Sequence, residues 1–319
     1  MDQLTIGVDI GGTNTAFGFV DRVGKVYAKG CIPTQDQEKV EDFIADLAAA
    51  IKKKITQLDE DTMIVGIGIG APNGNFYNGT IEFAPNLRWD GIINVVDLFS
   101  KHFRTPAYLT NDANAAAIGE MIYGGAREIK DFIMITLGTG VGSGIVVNGE
   151  LVYGHDGFAG EIGHVIVEEK GRSCSCGRKG CLETYCSAPG IKRTALELIA
   201  KSEVSSGLKN IPPEQLTSKD VAIAASEGDK LSLKVFKETG KILGKALANS
   251  VAYLSPKAIF LFGGPTQAGD LIFKPTKKYM EENLLNIFKD KIEIYPSQLP
   301  DGDAAIVGAS ALAWKELSK

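Results

Sequence analysis

A short apolar strand that ends in a glycine turn and comes straight back is written twice in this chain. No other feature limits the fold as much. The first copy runs Leu4-Thr-Ile-Gly-Val-Asp9, turns on Gly11-Gly12-Thr13-Asn14 and returns over Thr15 to Val20. The second runs Phe132 to Leu137, turns on Gly138-Thr139-Gly140-Val-Gly142 and returns over Ser143 to Val147, with a further strand from Glu150 to Tyr153. A supersecondary unit repeated once in a chain of 319 residues argues internal duplication into two α/β halves, each large enough for its own core. Amphipathic helices fit between the strands, for example from about Glu38 to Leu58, where Val40, Phe43, Ile44, Leu47, Ile51 and Ile55 share a stripe. Further strands are expected at Met63 to Ile69, Pro106 to Leu109, Ala258 to Phe262 and Lys291 to Tyr295. Helices are expected at about 94–102, 113–123, 188–201, from near Thr217, 229–254, and from a cap at Asp303 to Leu317.

Charge and hydropathy narrow the function classes. The formal net charge is −5, and the longest basic run is Lys52-Lys53-Lys54 on the wet face of a helix, so no basic field exists for a nucleic-acid backbone. No apolar run reaches membrane-spanning length, and Met1-Asp2-Gln3-Leu4 lacks the basic start of a secretory signal, so a cytoplasmic location is expected. Cys31 and Cys186 need no partner there.

Glycine turns after buried strands bring backbone N–H groups close to phosphate oxygens, and Asp9 at the end of its strand is placed to hold Mg²⁺ through water. Asn111-Asp112 sits where a strand passes into an Ala-rich helix. Asp112 is either that helix's N-cap or a catalytic group at the carboxyl end of a strand. Gly263-Gly264 closes another strand in a place where an α/β sheet presents a ligand. The loops Gly70-Ala-Pro-Asn73-Gly74-Asn75 and Ala84-Pro-Asn86-Leu-Arg-Trp89 are polar interruptions suited to turns and to contact with a ligand.

The densest chemistry lies between Glu161 and Glu183. His164 is followed by Cys174-Ser-Cys176-Gly-Arg-Lys-Gly-Cys181, one imidazole and three thiols on tight glycine turns, which suits a closed tetrahedral Zn²⁺ site. Four protein ligands leave no position for a reacting water, so the zinc is expected to be structural.

These motifs resemble the ROK family of sugar kinases and sugar-sensing repressors, in the actin and hexokinase superfamily, over essentially the whole chain. Asp9-Ile-Gly-Gly-Thr13 is similar to the family's first phosphate motif, Leu137-Gly-Thr-Gly140 to the second, and Gly263-Gly264 to the adenosine motif. Asn111-Asp112-Ala-Asn-Ala resembles the catalytic segment, Glu161-x-Gly-His164 the sugar motif, and Cys174-x-Cys176-Gly-x-x-Gly-Cys181-Leu-Glu183 the zinc signature. Two positions depart from the family pattern. Asn73 stands where many members have Gly, and Pro265 where a third Gly is common.

The resemblance implies two ribonuclease-H-like α/β domains with mixed sheets and a cleft between them. The expected smaller domain is 1–112 plus 304–319, and the larger is 113–303, carrying the zinc loop. It also implies ATP-dependent phosphorylation of a hexose at its 6-hydroxyl, glucose foremost, with Asp112 as catalytic base. Gly74, Asn86, Asn111, Asp112, Glu161, His164 and Glu183 would meet the sugar. Asp9, Gly11, Gly12, Thr13, Asn14, Gly138, Thr139, Gly140, Gly263 and Gly264 would meet the nucleotide with its Mg²⁺. His164, Cys174, Cys176 and Cys181 would hold Zn²⁺. A homodimer is what the family suggests. The alternatives are a kinase for an N-acetylhexosamine (N-acetylglucosamine or N-acetylmannosamine) or fructose, and a sugar-sensing repressor. The repressor would place a helix-turn-helix before the first strand, for which this sequence leaves no room.

Overall fold

The computed structural model describes residues 3–300 and 302–319. In chain order the first half gives β1 (Gln3–Ile10), β2 (Asn14–Val20), β3 (Val26–Pro33), α1 (Val40–Ile55) and β4 (Met63–Ala71). There follow three short strands, β5 (Gly74–Asn75), β6 (Thr80–Glu82) and β7 (Ile92–Ile93), then α2 (Val95–Ser100), β8 (Ala107–Asn111) and α3 (Asp112–Ile122). The second half gives β9 (Phe132–Leu137), β10 (Val141–Val147), β11 (Glu150–Leu151), α4 (Glu183–Cys186), α5 (Ala188–Lys201), α6 (Ser218–Ser226) and α7 (Lys230–Leu254). It closes with β12 (Ala258–Phe262), α8 (Asp270–Asn283), β13 (Glu293–Pro296) and α9 (Ala304–Leu317).

The duplication is visible in the topology. One five-stranded sheet has the order β3-β2-β1-β4-β8 and the other β11-β10-β9-β12-β13, the same arrangement twice. In each, the first strand of the half lies in the middle. β1 pairs antiparallel with β2 and parallel with β4, and β12 pairs parallel with both β9 and β13. Both sheets are therefore mixed, and the fold is α/β. Central strands buried on both faces read as continuous apolar runs, which is why Ile6, Val8, Ile10, Ile133, Met134 and Ile135 have almost no exposed surface.

Compactness groups the residues differently from the sequence-level boundary at 112/113. One unit comprises the chain up to Lys130, Gly144–Gly160 and Gln298–Lys319; the other comprises Asp131–Ser143 and Glu161–Ser297, so the division runs through β10. α3 belongs with the first unit because it packs on α9, which in turn lies across β1 and β4. A buried hydroxyl pair, Thr5 Oγ1 to Ser310 Oγ at 2.6 Å, registers α9 on β1. In the second unit α7 packs along α8, and α5 lies against α7.

Some expectations change in detail. Asp303 does not cap α9 with its side chain; its carboxylate accepts from Lys29 Nζ at 2.8 Å instead. The chain between Phe262 and Lys291, given no element by the sequence, contains α8, and β5 to β7 form a small antiparallel sheet of their own.

Candidate active site

The first unit places two carboxylates at the carboxyl ends of β1 and β8, the strands that flank β4. Asp9 lies near the end of β1, in register with Gly70 of β4, and Asp112 follows β8, which pairs with β4 on its other side. Burial, and then the neighbouring charge of Asp112, push the Asp9 carboxyl up to about 6. Burial also raises Asp112, while the N–H of Ala113 and its own N–H partly offset this. Two carboxylates raised by burial, one of them further by the charge of the other, are the electrostatics of a group awaiting a cation or a proton.

Two readings of Asp112 stand open in the sequence, and the local geometry bears on both. Asn111 has the extended backbone of an N-cap, and its Oδ1 accepts the Ala113 N–H at 2.8 Å. Asp112 is the first helical residue, its Oδ1 also accepting from Ala113 N–H at 2.8 Å. The cap of α3 is therefore Asn111.

The first glycine turn is closed by the Gly11 N–H on Asn14 O at 3.1 Å, and Thr13 O accepts the Thr34 N–H at 2.9 Å. Asn86 lies beside this turn: a Cβ on Gly12 would come 2.8 Å from the Asn86 carbonyl oxygen. Gly74, in β5, is packed so closely on the Thr110 carbonyl and the Leu109 side chain that no larger residue fits. Asp9, Gly11, Gly12, Thr13, Asn14, Gly74, Asn86, Asn111 and Asp112 thus all lie at the sheet's carboxyl end or on turns next to it.

In the second unit the turn after β9 is closed by the Gly138 N–H on Gly140 O at 2.9 Å, and the Ala188 N–H at the start of α5 donates to Gly138 O at 2.9 Å. Thr139 is exposed at its tip. Glu183 packs against this turn. Its Oε2 accepts the Val141 N–H at 3.2 Å, and a Cβ on Gly140 would strike it. Glu161 precedes a single 3-10 turn, Ile162–His164, fixed by the Ile162 N–H donating to Ser143 Oγ at 3.2 Å.

The four candidate zinc donors converge. The donor atoms of His164, Cys174, Cys176 and Cys181 all lie within 4.8 Å of one another. His164 Nδ1 is 3.7 Å from Cys174 Sγ, and Cys176 Sγ is 3.6 Å from Cys181 Sγ. Thiolates at about 2.3 Å from a tetrahedral Zn²⁺ would be about 3.8 Å apart, so the residues present fit that ion. Gly177 and Gly180 have φ values of 84° and 78°, which fold the loop tightly enough for this convergence. Burial pushes the Cys174 thiol up to about 12, and with the neighbouring Cys176 sulfur it raises Cys181 as well. It raises Cys176 too, but hydrogen bonds from the backbone and side chain of Arg178 outweigh it and hold that thiol down at about 6. Three sulfurs this close ionise together only when a cation shares them, which is the chemistry Zn²⁺ supplies.

Arg172, which the sequence did not single out, locks this loop to α5. Nε and Nη2 donate to the Glu197 carboxylate at 3.2 and 2.8 Å, Nη1 to the carbonyls of Thr184 and Gly190 at 2.7 and 3.1 Å, and Nη2 also to Thr194 Oγ1 at 2.9 Å. All five guanidinium N–H groups are thereby used, and the plane lies over the Tyr185 ring. Gly263 and Gly264 follow β12. Beside Gly264 and Pro265 opens a cavity of about 360 Å³ walled by Ile191, Phe236, Gln267 and Leu271, residues that no local sequence signal brings together.

The ROK family model matches residues 5–316, nearly the whole chain. The chain belongs to the ROK family. Within that family it is 37% identical to a glucokinase of Halalkalibacterium halodurans, over 98% of this chain and 95% of the relative. Its fold superposes with a TM-score of 0.81 on the ROK family glucokinase of Streptomyces griseus, solved in complex with glucose and AMPPNP; the two are 32% identical, covering 98% of this chain and 99% of that one. A xylose repressor of Caldicellulosiruptor bescii is also similar, at 28% identity, but is longer: the match covers 98% of this chain and 78% of the repressor. Among the described residues no helix is long and apolar enough to cross a membrane.

Proposed function

We propose that this ROK protein is an ATP-dependent hexose kinase that transfers the γ-phosphoryl group to a sugar 6-hydroxyl, with glucose as its leading substrate. The observation that carries the reading is the pair Asp9 and Asp112. Asp112 is aimed from the start of α3, relieved of the capping role by Asn111, and burial makes it a stronger base than an ordinary aspartate. As the sugar oxygen attacks the γ-phosphorus in line, its proton passes to Asp112 and ADP departs. The loose transition state asks chiefly for position and for neutralisation of charge.

Asp9 would hold the Mg²⁺ that accompanies the nucleotide, which would neutralise charge on the phosphates, and Asn14 and the amides and hydroxyls at Thr13 and Thr139 would receive phosphate oxygens. Asn86, Asn111, Glu161, His164 and Glu183 take the sugar hydroxyls, with Gly74 offering backbone. Polar groups of this kind reject a sugar that leaves one of them unpaired. The nucleoside occupies the cavity at Gly264, where Phe236, Ile191 and Leu271 offer apolar surface and Gln267 an amide. His164, Cys174, Cys176 and Cys181 would hold a structural Zn²⁺, which would supply a fixed anchor for the loop and the His164 ring rather than a reacting centre.

The deciding experiment is a coupled ADP-release assay across glucose, mannose, fructose, N-acetylglucosamine and N-acetylmannosamine. Glucose is expected to give the highest kcat/KM. A preference for either acetylated sugar would move the assignment to an N-acetylhexosamine kinase, and no turnover with any of the five would reject the kinase reading.

A further inference from the structure

The segment from Phe83 to Gly91 bridges β6 and β7 and carries Asn86. It is a strap held at three points, all in the first unit. At its base the Phe83 N–H donates to Gly91 O at 2.8 Å. Asn73 grips its start: Nδ2 donates to the carbonyls of Glu82 at 3.0 Å and Phe83 at 3.2 Å. Asn73 has φ of 51°, a conformation Asn tolerates better than most other side chains, so the chain can turn here and still present an amide that clamps the strap.

The third hold leads to the phosphate turn. Arg88 Nη1 donates to the Gln35 carbonyl at 2.7 Å, and Gln35 Nε2 donates to Gly12 O at 2.5 Å. From the other side the Asn86 carbonyl rests on the bare Cα of Gly12, where an added Cβ would lie 2.8 Å from that oxygen and 3.3 Å from Asn86 Cβ. Gln35 is itself set in place, because its neighbour Thr34 donates its N–H to Thr13 O at 2.9 Å and pairs its buried hydroxyl with that of Thr15 at 2.8 Å. The peptide of Gly12 is thus touched by the strap twice, once directly and once through Gln35. A shift of Asn86 moves Gly12 or breaks this chain.

We propose that Arg88 and Gln35 are positioning residues that tie the sugar contact Asn86 to the first phosphate turn, so that a bound sugar prepares the turn for the nucleotide. The proposal rests on the functional reading given above for Asn86 and for Gly11 to Thr13. A sugar hydroxyl that engages Asn86 orders the strap. The strap then holds Gly12, and a nucleotide arriving second pays less of the ordering cost, which is positive coupling by reciprocal linkage.

The test measures the affinity of a non-hydrolysable ATP analogue with Mg²⁺, with and without a saturating amount of the sugar the enzyme phosphorylates best. It is run on the wild type, Arg88→Ala, Gln35→Ala and the double variant. Sugar is expected to tighten the analogue about fivefold or more in the wild type, and by less than about twofold in each variant. The double variant is expected to lose no more than either single one, because both break the same link. Sugar-free analogue affinity and melting temperature should stay near wild type in all three. Coupling that survives in either single variant, that is absent from the wild type, or that falls additively overturns the proposal. A wild type that turns over no hexose overturns this proposal and the kinase reading together, whereas normal turnover with unchanged coupling overturns the strap alone.

Discussion

The two glycine turns are one hairpin built twice, yet they differ in what lies against the glycine and in the charge beside it. Gly12 is seated on a backbone carbonyl, that of Asn86; Gly140 is seated on the far end of a side chain, the carboxylate of Glu183. Two residues before the first turn stands Asp9, and two before the second stands Thr136. The first half therefore concentrates unneutralised carboxylate at the strand ends, with Asp9 and Asp112 both pushed upward. The second half holds its carboxylate with the Val141 N–H and braces the segment behind it with Arg172 and the cysteine loop. On the kinase reading proposed above, duplication supplied two equivalent glycine turns, and divergence gave proton and cation handling to one and rigid holding to the other.

The sharpest way to break this division is at Asp112. Asp112→Asn keeps a hydrogen-bonding group of the same size and removes the proton acceptor, so kcat should fall by about 10² or more while glucose binding persists. Near-normal turnover would mean that the first half does not carry the base. Next in size is the brace of the second half. Stripping the metal with a chelator, or Cys176→Ser, should weaken glucose affinity by about 10-fold or more, because the orientation of His164 and the carboxylates beside the loop depends on the clamped cysteines. Binding of an ATP analogue should change much less. The measurement belongs on protein that circular dichroism shows still folded, and equal loss of both ligands would make the metal a general stabiliser only.

How much of this was legible beforehand differs between the halves of the problem. β9, α5 and β12 begin and end where the sequence puts them, because apolar runs and a Ser-Ala-Pro start mark their ends locally. α8 was invisible because Pro275 lies inside it, and proline argues against a helix interior. In the fold that ring sits in a notch of α7: a Cβ on Gly240 would come 2.7 Å from Pro275 Cβ, so close helix packing offsets the lost hydrogen bond. The candidate residues could be picked out because acids, thiols and glycine turns announce themselves by type and spacing, and the fold does bring His164, Cys174, Cys176 and Cys181 together. Arg172 was not, since an arginine in a polar loop reads as solvated until Thr184, Gly190, Thr194 and Glu197 converge on it. The latch through Gln35 and Arg88 is non-local in the same way.

The two turns can be set against each other directly with one methyl group each. In Gly12→Ala the methyl meets a backbone carbonyl that cannot swing away, so the expected cost is about 1–3 kcal/mol of stability together with weaker nucleotide binding. In Gly140→Ala it meets the flexible end of Glu183, which can move, so stability should hold while the KM for glucose rises several-fold more than that for ATP. Equal stability loss in both variants, read by thermal melting, would erase the distinction between a carbonyl seat and a carboxylate seat.

The smallest expected effect isolates the charge difference alone. Asp9 titrates at about 6 in the fold against an ordinary value of 3.8, so between those values the native state holds more protons than the unfolded chain. Its contribution is therefore favourable at low pH and is lost as pH rises through the window, leaving the full penalty above about 6. Asp9→Asn removes that penalty. Two pKa units would set the ceiling, but Asp9 is only half-buried and water screens it, so the gain at pH 7.5 should be about 1 kcal/mol, or about 2–4 °C in melting temperature. The gain should shrink on acidification and be gone near pH 4. With Mg²⁺ and an ATP analogue present the order should reverse, because the cation neutralises the carboxylate in the wild type and finds only an amide in the variant. A gain independent of pH would assign it to packing, and the first turn would then carry no more stored charge than the second.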